Sequence, residues 1–597
     1  MQNIRTFCEM FRQLMFILNH RQKKHFLFLA IGSVFVGLLE TLGVSIIIPY
    51  IMVMLSPDEF MQNQYVKILI NIMRITEYFQ LLLVVAAAII LVYILKSVIV
   101  LLINFLQAKF RNGLERDLSN KMLESYLRQD YSFHINTNSS EVVRGVHSDI
   151  SGIASVVENF SSIASEGLST LLIGIFLIWI NPVMAITILA LAGLTSLGIV
   201  IAFKKKVNVS GEKCRNAFQK KIQYIQQSEN GIKDIIVKQK YDYFIDQFKK
   251  YSEQACYYNT TYLTISKVPN RIIEVVFITG LLLSSVFFIG RGGDASLYVT
   301  QLGAFAVAAV RILPSVSSMT VYMNNLIYFR PTVEATYQNL LDGVGSPRGQ
   351  SDTLQMKEAL SNDRVEFQDR ICIEHIEWKY ADDLDYVLKD ISLEIHKGEA
   401  VGIIGSSGAG KTTLVDILLG LLKPQSGTIT MDGKDVFENP VLWAKKVGYV
   451  PQSLFLLDDT VRRNIAFGIP EEEIDDRRIQ EVLDEAQLRD MVDHLPGGLD
   501  TELGEQGMKI SGGQRQRIAI ARALYFEPDI LILDEATSAL DQEIESAVMG
   551  AVDALRGRKT LVIVAHRIST LRKCDKIYEV KDKKIFLRNK KEVLNER

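Results

Sequence analysis

Long apolar stretches dominate the first half of the chain. Residues 167–203 contain neither a charged residue nor a histidine over 37 positions, and an Asn-Pro pair interrupts them near the middle. A membrane-spanning helix needs about 20 apolar residues, so this stretch predicts two crossings joined by a short turn. Four further stretches qualify as single crossings: 26–55, 78–108, 275–290 and 295–329. The pattern predicts six transmembrane helices and disfavours the alternative, buried helices of a large soluble protein.

Basic residues indicate how these helices are oriented. Lys and Arg cluster before the first crossing, after the second and after the fourth, and they are sparse on the other side. Cytoplasmic loops carry this excess in membrane proteins. We therefore expect a multi-pass protein of the cytoplasmic membrane with both termini in the cytoplasm.

The connections between the crossings are also informative. The two long cytoplasmic connections hold almost no Pro or Gly, which predicts that the membrane helices continue beyond the bilayer and turn back. Residues 56–77, on the outer side, suit either an amphipathic helix on the membrane surface or an ordinary loop.

The character of the sequence changes near residue 340. Gly, Ser, Pro and Asp are concentrated between 342 and 352, as is typical of a linker. From about residue 370, short apolar strands alternate with helical stretches, which predicts an α/β domain with a largely parallel sheet. The predicted organisation is an all-α six-helix transmembrane domain (1–340), a linker (341–369) and an α/β domain (370–597).

Composition and charge exclude several classes of protein. The 66 basic and 68 acidic residues leave a net charge of −2, which argues against a nucleic-acid-binding protein. The five cysteines are scattered without a CxxC pair, which excludes a disulfide framework and a cysteine-rich zinc site.

A glycine-rich loop follows the strand 400–404 and precedes a helix. Gly405 and Gly410 allow backbone N–H groups to surround phosphate oxygens at a helix N-terminus. Lys411 is expected to reach the β- and γ-phosphates of ATP, and Thr412 to bind Mg²⁺. The whole loop reads Gly405-Ser406-Ser407-Gly408-Ala409-Gly410-Lys411-Thr412-Thr413. This strand–loop–helix pattern identifies a P-loop and makes the second domain an α/β P-loop ATPase.

Two acids end another apolar strand, 530–533. An acid at the carboxyl end of a core strand beside the P-loop is where a Mg²⁺ ligand belongs, so we assign that role to Asp534. Glu535 is then the candidate that polarises the attacking water. The alternative, that both acids merely cap a helix, is disfavoured by the apolar run before them.

A second glycine motif, Ser511-Gly512-Gly513-Gln514, precedes an arginine-rich helix. It lies about 20 residues before Asp534 and about 100 after the P-loop. In this position it matches the signature motif of the ATP-binding cassette (ABC) family, which the chain therefore resembles.

The resemblance implies further roles for residues of the second domain. Tyr380 matches the aromatic residue that stacks on adenine, Gln452 the loop residue that senses Mg²⁺ and the membrane domain, and His566 the switch histidine that contacts the γ-phosphate. Residues 504–507 resemble a loop of ABC exporters, with Gln506 where Arg is commoner, and residues 538–541 resemble the loop that touches the opposite subunit.

A partner chain is also implied by the resemblance. In this family the signature of one subunit closes ATP against the P-loop of another, so Ser511 and Gly513 would face the γ-phosphate from across the dimer. A homodimer with twelve membrane helices is the simplest expectation, because each catalytic position holds a competent residue. A heterodimer with a degenerate partner is the alternative.

A membrane domain followed by a cassette resembles the ABC exporter half-transporter. Segments 131–136 and 238–244 are then candidates for the short coupling helices that dock on the cassette, with plain turns as the alternative. An ABC ATPase without a transport role is the hypothesis from another class, and the six predicted membrane helices disfavour it.

Three basic residues, two within the apolar segments and one at the start of the fifth predicted helix, are the candidates for substrate contact. Lys96, Arg271 and Arg311 would form a basic ring around an inward-open cavity of the dimer, and charges at membrane depth are usually functional. Such a ring suits a phosphate or pyrophosphate head group. The alternative is that Lys96 and Arg271 extend to the interface while Arg311 pairs with Glu40 or Glu274.

A narrower resemblance points to the cargo. Residues 39–49 and 304–314 look like the first and sixth helices of bacterial flippases of lipid-linked oligosaccharides in protein glycosylation. A polyisoprenyl-pyrophosphate-linked oligosaccharide is therefore the expected substrate. Membrane lipids are expected to surround the transmembrane domain. An exporter of drugs, lipids or peptides is the alternative.

Overall fold

The computed structural model describes residues 2–55, 78–180, 182–290, 295–345, 366–380, 385–504, 507–535, 542–565 and 567–595. The chain divides into two compact units, and each is described by itself. The first comprises Met1–Gln129 and Phe133–Gln350, and the second comprises Asp130–Ser132 and Ser351–Arg597.

Helices make up the described chain up to residue 345. In chain order they are α1 (Gln2–Ile17), α2 (His20–Leu55), α3 (Tyr78–Leu127), α4 (Tyr131–Asn136), α5 (Ser139–Arg144), α6 (Ile150–Ile180), α7 (Pro182–Asn230), α8 (Ile232–Lys238), α9 (Tyr241–Gly290) and α10 (Ala295–Gly345). A single π-helical turn, Gly145–Asp149, joins α5 to α6. Six of these helices are longer than 30 residues and coincide with the six predicted crossings.

Four stretches of the described helices are long and apolar enough to cross a membrane. They are His20–Gly43, Leu82–Leu127, Ser139–Trp179 and Pro182–Asn230. The other two predicted crossings lie along α9 and α10. The predicted outer segment 56–77 lies outside the described residues.

The long helices continue past their apolar stretches, as the composition of the connections predicts. The first predicted coupling segment, 131–136, forms the short helix α4. The second, 238–244, does not form a helix of its own, so that prediction is wrong. Gln239 has φ 53° and ends α8 in the left-handed conformation, and α9 begins two residues later.

Helix α1 was not predicted from the sequence. Its buried residues Met10, Leu14 and Ile17 pack in one cluster with Leu118 of α3 and Val333 of α10. These apolar positions recur at helical spacing, so α1 is an amphipathic helix that covers the long helices at their polar ends.

Two β-sheets build the second unit. The strands are β1 (Arg370–Trp378), β2 (Leu388–His396), β3 (Ala400–Ile404), β4 (Ser426–Met431), β5 (Lys434–Asp435), β6 (Val447–Val450), β7 (Ile530–Asp534), β8 (Thr560–Val564), β9 (Lys576–Lys581) and β10 (Lys584–Arg588). One sheet has the order β2-β1-β4-β5 and the other β10-β9-β3-β8-β7-β6. Strands β9, β3, β8, β7 and β6 run parallel, and β10 is antiparallel to β9. A helical unit followed by an α/β unit is therefore confirmed.

The helices of the second unit cover this sheet on both faces. They are α11 (Lys411–Leu418), α12 (Pro440–Lys446), α13 (Val461–Ile465), α14 (Asp476–Glu485), α15 (Arg489–Asp493), α16 (Gly512–Tyr525), α17 (Gln542–Ala554) and α18 (Lys590–Asn595). Alternate residues of β7 enter two different apolar clusters: Leu531 and Leu533 join one, and Ile530 and Ile532 join the other. Burial on both faces explains why this strand is apolar at every position.

A substitution at Gly211 can test how closely α7 and α10 pack in the first unit. A Cβ at Gly211 in α7 would lie 2.0 Å from the carbonyl oxygen of Tyr328 in α10, and Tyr328 itself stacks on Tyr262 of α9 with ring centroids 4.0 Å apart. We expect Gly211→Ala to separate these helices and to lower the free energy of unfolding by about 1–3 kcal/mol, measured by thermal unfolding of the purified full chain.

Gly113→Ala is the matched control, because a Cβ at Gly113 in α3 would meet no atom within 4 Å. Alanine favours the helix over glycine by about 1 kcal/mol, so this variant should unfold at the same or a higher temperature. Equal destabilisation by both substitutions would contradict the close approach of α7 and α10.

Candidate functional site

The glycine-rich loop lies at the carboxyl end of β3, between β9 and β8 in the sheet. A Cβ at Gly405 would lie 2.5 Å from the carbonyl oxygen of Val580. Gly410 has φ 102°, and a Cβ there would lie 2.9 Å from the side chain of Leu388. Glycine alone fits both positions, since it has no Cβ and tolerates positive φ. The tight turn leads directly into α11.

Lys411 folds back over this loop. Its Nζ donates hydrogen bonds to the carbonyl oxygens of Gly405 at 2.9 Å and Ser406 at 3.0 Å. Burial lowers the pKa of the Lys411 ammonium group, and the nearby charges of Glu535 and Asp534 oppose that shift. The ammonium group therefore lies at the loop and close to both acids, where it can meet a phosphate.

The two acids lie at the carboxyl end of β7. Asp534 pairs with Val564 of β8, and the N–H of Glu535 donates to the carbonyl oxygen of Val564 at 3.0 Å. One strand further, the N–H of Ala565 donates to the carbonyl oxygen of Ile403 in β3 at 3.1 Å. The sheet thus brings the loop and both acids to one edge, as expected for parallel strands.

Gln452 joins this edge from far away in the sequence. It follows β6, which pairs with β7, and its Nε2 donates to Oε2 of Glu535 at 2.6 Å. Glu535 has φ 48°, a left-handed conformation that costs a non-glycine residue about 1–3 kcal/mol and is typical of functional positions. The hydrogen bond from Gln452 fixes the direction of the Glu535 carboxylate.

The oxygen atoms around the loop fit Mg²⁺. Asp534 is buried at 3% exposure, whereas Thr412 is exposed at the start of α11. Gln452 uses its amide nitrogen for Glu535, so its amide oxygen can face an ion. Mg²⁺ binds oxygen ligands and usually takes one or two protein carboxylates together with phosphates and waters. Thr412, Gln452 and Asp534 would hold the ion together with the phosphates of ATP.

Tyr380 lies beside the helix that begins at the loop. Its hydroxyl lies 3.2 Å from Oγ1 of Thr413, and its ring contacts Trp378 edge to face with centroids 4.2 Å apart. Half of its surface remains exposed. The stacking of Tyr380 on adenine stays a prediction, as do the ATP contacts of Ser407, Gly408 and Ala409.

The signature residues form a helix start. Ser511 caps α16: its hydroxyl accepts from the N–H of Gln514 at 3.3 Å, and the Gln514 side chain accepts from the N–H of Ser511 at 2.8 Å. In the described part of the chain, no hydrogen bond joins Ser511, Gly512, Gly513 or Gln514 to the loop 405–413. One chain therefore assembles the loop, the acids and Gln452, but not the signature, at one edge.

Asn464 and Arg522 form a buried node that sequence reasoning missed. Oδ1 of Asn464 accepts from the N–H of Leu457 and from Nη2 of Arg522, each at 2.9 Å. Arg522 also donates to the carbonyl oxygen of Phe455 at 2.8 Å. The node ties the segment after Gln452 to α16. In the sequence, this interaction is indicated only by an asparagine inside the short helix α13.

Asp416 is a second residue that the sequence did not single out. It lies in α11 among apolar neighbours and is 8% exposed. Burial, and secondarily the charge of Asp534, raise the pKa of Asp416 to about 6. Burial, together with the charges of Asp534 and Asp416, raises the pKa of the Tyr449 hydroxyl in β6. A lone acid in the run Leu414-Val415-Asp416-Ile417 was the signal available.

Two of the three predicted substrate residues have carboxylate neighbours. Lys96 Nζ lies 2.6 Å from Glu40 of α2, with both side chains less than one-fifth exposed, and above the ring of Tyr93 at 5.0 Å. Arg271 lies 3.3 Å from Glu274 on the exposed surface of α9. Their contact with substrate stays a prediction.

Several predicted positions lie outside the described residues. They are His566, the loop 538–541 and residues 505–506, and the side chain of Arg311 on α10 also lies outside the described part. Their assigned roles stay predictions.

Two family models match the chain. The ABC transporter transmembrane region matches residues 26–309, and the ABC transporter model matches residues 388–538. The first covers the long helices and the second covers the P-loop, Gln452, the signature and both acids.

Individual relatives and one solved structure agree with these matches. An ATP-dependent lipid A-core flippase of Saccharophagus degradans is 30% identical over 467 residues, 78% of this chain and 76% of the relative. A multidrug resistance ABC transporter ATP-binding and permease protein of Lactococcus lactis is 35% identical over 51% of this chain and 49% of the relative. Matches to the first relatives span 35–49% of those relatives' length. The structure of a bacterial Atm1-family ABC exporter with ATP bound has a TM-score of 0.73 at 20% identity, over 96% of this chain and 97% of that one, and shows the fold.

Asp416 gives a pH-dependent test of the geometry around the loop. Its pKa of about 6 exceeds the ordinary value of 3.8, so the folded state binds the proton more tightly than the unfolded chain. The associated stability is complete below the unfolded pKa and is lost as the pH rises through the folded pKa. Asp416→Asn cannot ionise, so its advantage over the wild type should be small below about pH 4, grow between about pH 4 and pH 6, and level off at about 3 kcal/mol above that.

Tryptophan fluorescence during thermal unfolding of the full chain measures this difference, since Trp443 donates to the carbonyl oxygen of Leu418 in α11. Asp385→Asn is the control, because this carboxylate is 97% exposed. A wild-type and Asp416→Asn difference that is independent of pH would contradict the burial of the ionised group.

Proposed function

The chain belongs to the ABC transporter family, and from this membership we propose that it is a transport ATPase that exports or flips an amphipathic molecule across the cytoplasmic membrane. One observation carries the proposal. The P-loop, Asp534, Glu535 and Gln452 meet at one edge of the sheet, in a chain whose first unit contains six long helices. Both termini and the nucleotide-binding domain lie in the cytoplasm in this proposal, because basic residues cluster on that side.

ATP is the substrate of the hydrolytic step. The loop N–H groups and Lys411 bind its phosphates, and the chemistry that bound Mg²⁺ supplies is neutralisation of phosphate charge. The carboxylate of Glu535 takes a proton from the attacking water while the water oxygen bonds to the γ-phosphorus and the bond to the ADP oxygen breaks. Gln452 orients that carboxylate through its hydrogen bond of 2.6 Å.

A second half-transporter completes the nucleotide site in this proposal. The signature start of α16 has no hydrogen bond to the loop 405–413 in the described part of one chain, so it is available to another copy. Ser511 and Gly513 of one chain would then close ATP against the loop of the other. A homodimer is the simplest arrangement.

For the cargo, we propose a polyisoprenyl-pyrophosphate-linked oligosaccharide. The likeness of residues 39–49 and 304–314 to flippases of such lipids supports it, as does the relative named a lipid A-core flippase, whose cargo is itself a lipid. The ion pair between Lys96 and Glu40 weakens the case for Lys96 as a pyrophosphate ligand, so Arg311 becomes the residue on which this cargo depends most.

Export of drugs is the second candidate function. A relative named as a multidrug resistance protein is 35% identical over half of this chain. ATPase stimulation by a panel of lipid-linked glycans, lipids, drugs and peptides separates the two candidates.

Glu535→Gln tests the hydrolytic assignment. The amide cannot accept the proton of the attacking water, so we expect hydrolysis to fall by a factor of about 10²–10⁴ while ATP still binds and holds two cassettes together. Phosphate release and retention of labelled ATP measure the two properties. Glu472→Gln, an exposed acid on the same unit, is the control. Normal turnover by Glu535→Gln would overturn the assignment.

Arg311→Ala tests the cargo. Loss of a charged hydrogen-bond donor to pyrophosphate costs about 1.5–3 kcal/mol, so flipping of a pyrophosphate-linked lipid in proteoliposomes should fall at least about tenfold. Export of a neutral drug by the same preparation serves as the internal control. Unchanged flipping of the pyrophosphate lipid removes the reason to propose this cargo.

A further inference from the structure

A polar pocket lies between two long helices of the first unit, in the part that follows the apolar stretches. Its volume is about 470 Å³, which lies within the usual range for small-molecule sites. The polar residues that line it are Asn208, Glu212, Arg215 and Asn216 from α7 and Arg330, Glu334 and Gln338 from α10. Neither the nucleotide site nor the predicted basic ring uses any of these residues.

Three charged side chains of this pocket are available to a ligand, because Glu212 and Glu334 are exposed and Arg330 is half-buried. Across the residues that the structure describes, Arg330 makes no ion pair or hydrogen bond, and the same is true of Glu212 and Glu334. Oδ1 of Asn208 is buried without a hydrogen-bond partner. Buried polar atoms usually have partners in folded proteins, and among the lining residues Asn208 is the one with such an unmet acceptor.

One wall of the pocket is held rigidly. Arg215 of α7 lines it, and its guanidinium donates to both oxygens of Asp149 at 2.8–3.2 Å. Asp149, only 3% exposed, also pairs with the buried Arg144 and ends the π-helical turn before α6. Single π-helical turns occur frequently at functional sites. Arg215 is thus neutralised by Asp149 and positions the wall without offering a free charge.

The free charges define the ligand. With Arg215 neutralised, one guanidinium (Arg330) and two carboxylates (Glu212 and Glu334) remain, beside three amides. A purely anionic ligand would meet both carboxylates, and a purely cationic ligand would leave Arg330 unpaired. We propose that this pocket binds a zwitterion, with an ammonium group at Glu212 and Glu334 and an anionic oxygen group at Arg330.

The position of the pocket restricts where the ligand comes from. Asn208 follows the basic run Lys204, Lys205 and Lys206 by only a few residues, which is about 6 Å along a helix. On the orientation proposed above, that run marks the cytoplasmic membrane surface. A free cytoplasmic zwitterion and the head group of a zwitterionic lipid of the inner leaflet share this chemistry, and both reach the site. That the ligand is cargo rests on the proposed export function, whereas its binding does not.

Equilibrium binding to the purified full-length protein tests the proposal. The probes are alanylglutamate, as a free zwitterion, and O-phosphoethanolamine, as a lipid head group. We expect at least one of them to bind saturably. N-acetylation of alanylglutamate removes its ammonium group, and inorganic phosphate replaces O-phosphoethanolamine without one. Each change should weaken binding about tenfold, since hydrogen bonds to charged groups are worth about 1.5–3 kcal/mol.

Variants locate the binding in the pocket. Arg330→Gln and Glu334→Gln should each weaken the bound probe about tenfold, and the two variants should differ in their response to the missing ammonium group. Glu334→Gln should discriminate less than Arg330→Gln between the intact and ammonium-free probes, because one of the two carboxylate partners of the ammonium is gone. Arg12→Gln and Glu253→Gln, exposed positions outside the pocket, should leave binding unchanged.

Three outcomes overturn the proposal: neither probe binds the wild type, both pocket variants bind as the wild type does, or the ammonium-free probes bind equally well. Binding of alanylglutamate alone assigns the pocket to a free solute, and binding of O-phosphoethanolamine assigns it to a lipid head group. ATP hydrolysis that depends on Glu535, measured on the same preparation, reports on the proposed function separately. Size-exclusion profiles and thermal unfolding establish that each variant is folded.

Discussion

The backbone hydrogen bonds among β3, β8 and β7 at their carboxyl ends fix the geometry on which the nucleotide site depends. The N–H of Ala565 donates a hydrogen bond to the carbonyl oxygen of Ile403, and the N–H of Glu535 donates one to that of Val564. The phosphate loop and the acids therefore cannot separate without breaking the sheet. Both faces of these strands are buried in apolar clusters, which makes the sheet rigid. The strained backbone of Glu535 is tolerated because this frame and the bond from Gln452 over-determine its position.

The same need to pair buried polar groups shapes the rest of the molecule. Lys411 is satisfied by loop carbonyls, Arg522 by Asn464 and backbone oxygens, and Lys96 by Glu40. In the lipid environment that we propose for α2 and α3, an unpaired lysine would be expensive, so the pair with Glu40 ties these two helices together. The pocket between α7 and α10 contrasts with these pairs, because Glu212, Glu334 and Arg330 make no ion pair or hydrogen bond in the described part of the chain. Water solvates these exposed side chains, and in our proposal a zwitterionic ligand replaces that water.

How far the sequence predicts this structure depends on how local each feature is. The P-loop follows from nine consecutive residues, and the six long helices follow from apolar stretches long enough to cross a membrane. The hydrogen bond between Gln452 and Glu535 joins residues 83 positions apart, so only the strand order reveals it. The partner of Lys96 depends on the rotational register of two helices, which apolar composition does not encode. The second coupling segment failed because one left-handed residue, Gln239, decides where α8 ends.

The arrangement of α16 explains why one chain is a half-site. The side chains of Ser511 and Gln514 cap their own helix, α16. The P-loop also ends in a helix start, α11, and both helix starts favour anionic phosphate. Within one chain they are not bonded to each other in the described part. In the proposed dimer, ATP would be the anion that contacts both at once, and the release of phosphate after hydrolysis would remove the charge that holds the two chains together. Release of the cassettes then follows from the same electrostatics that joined them.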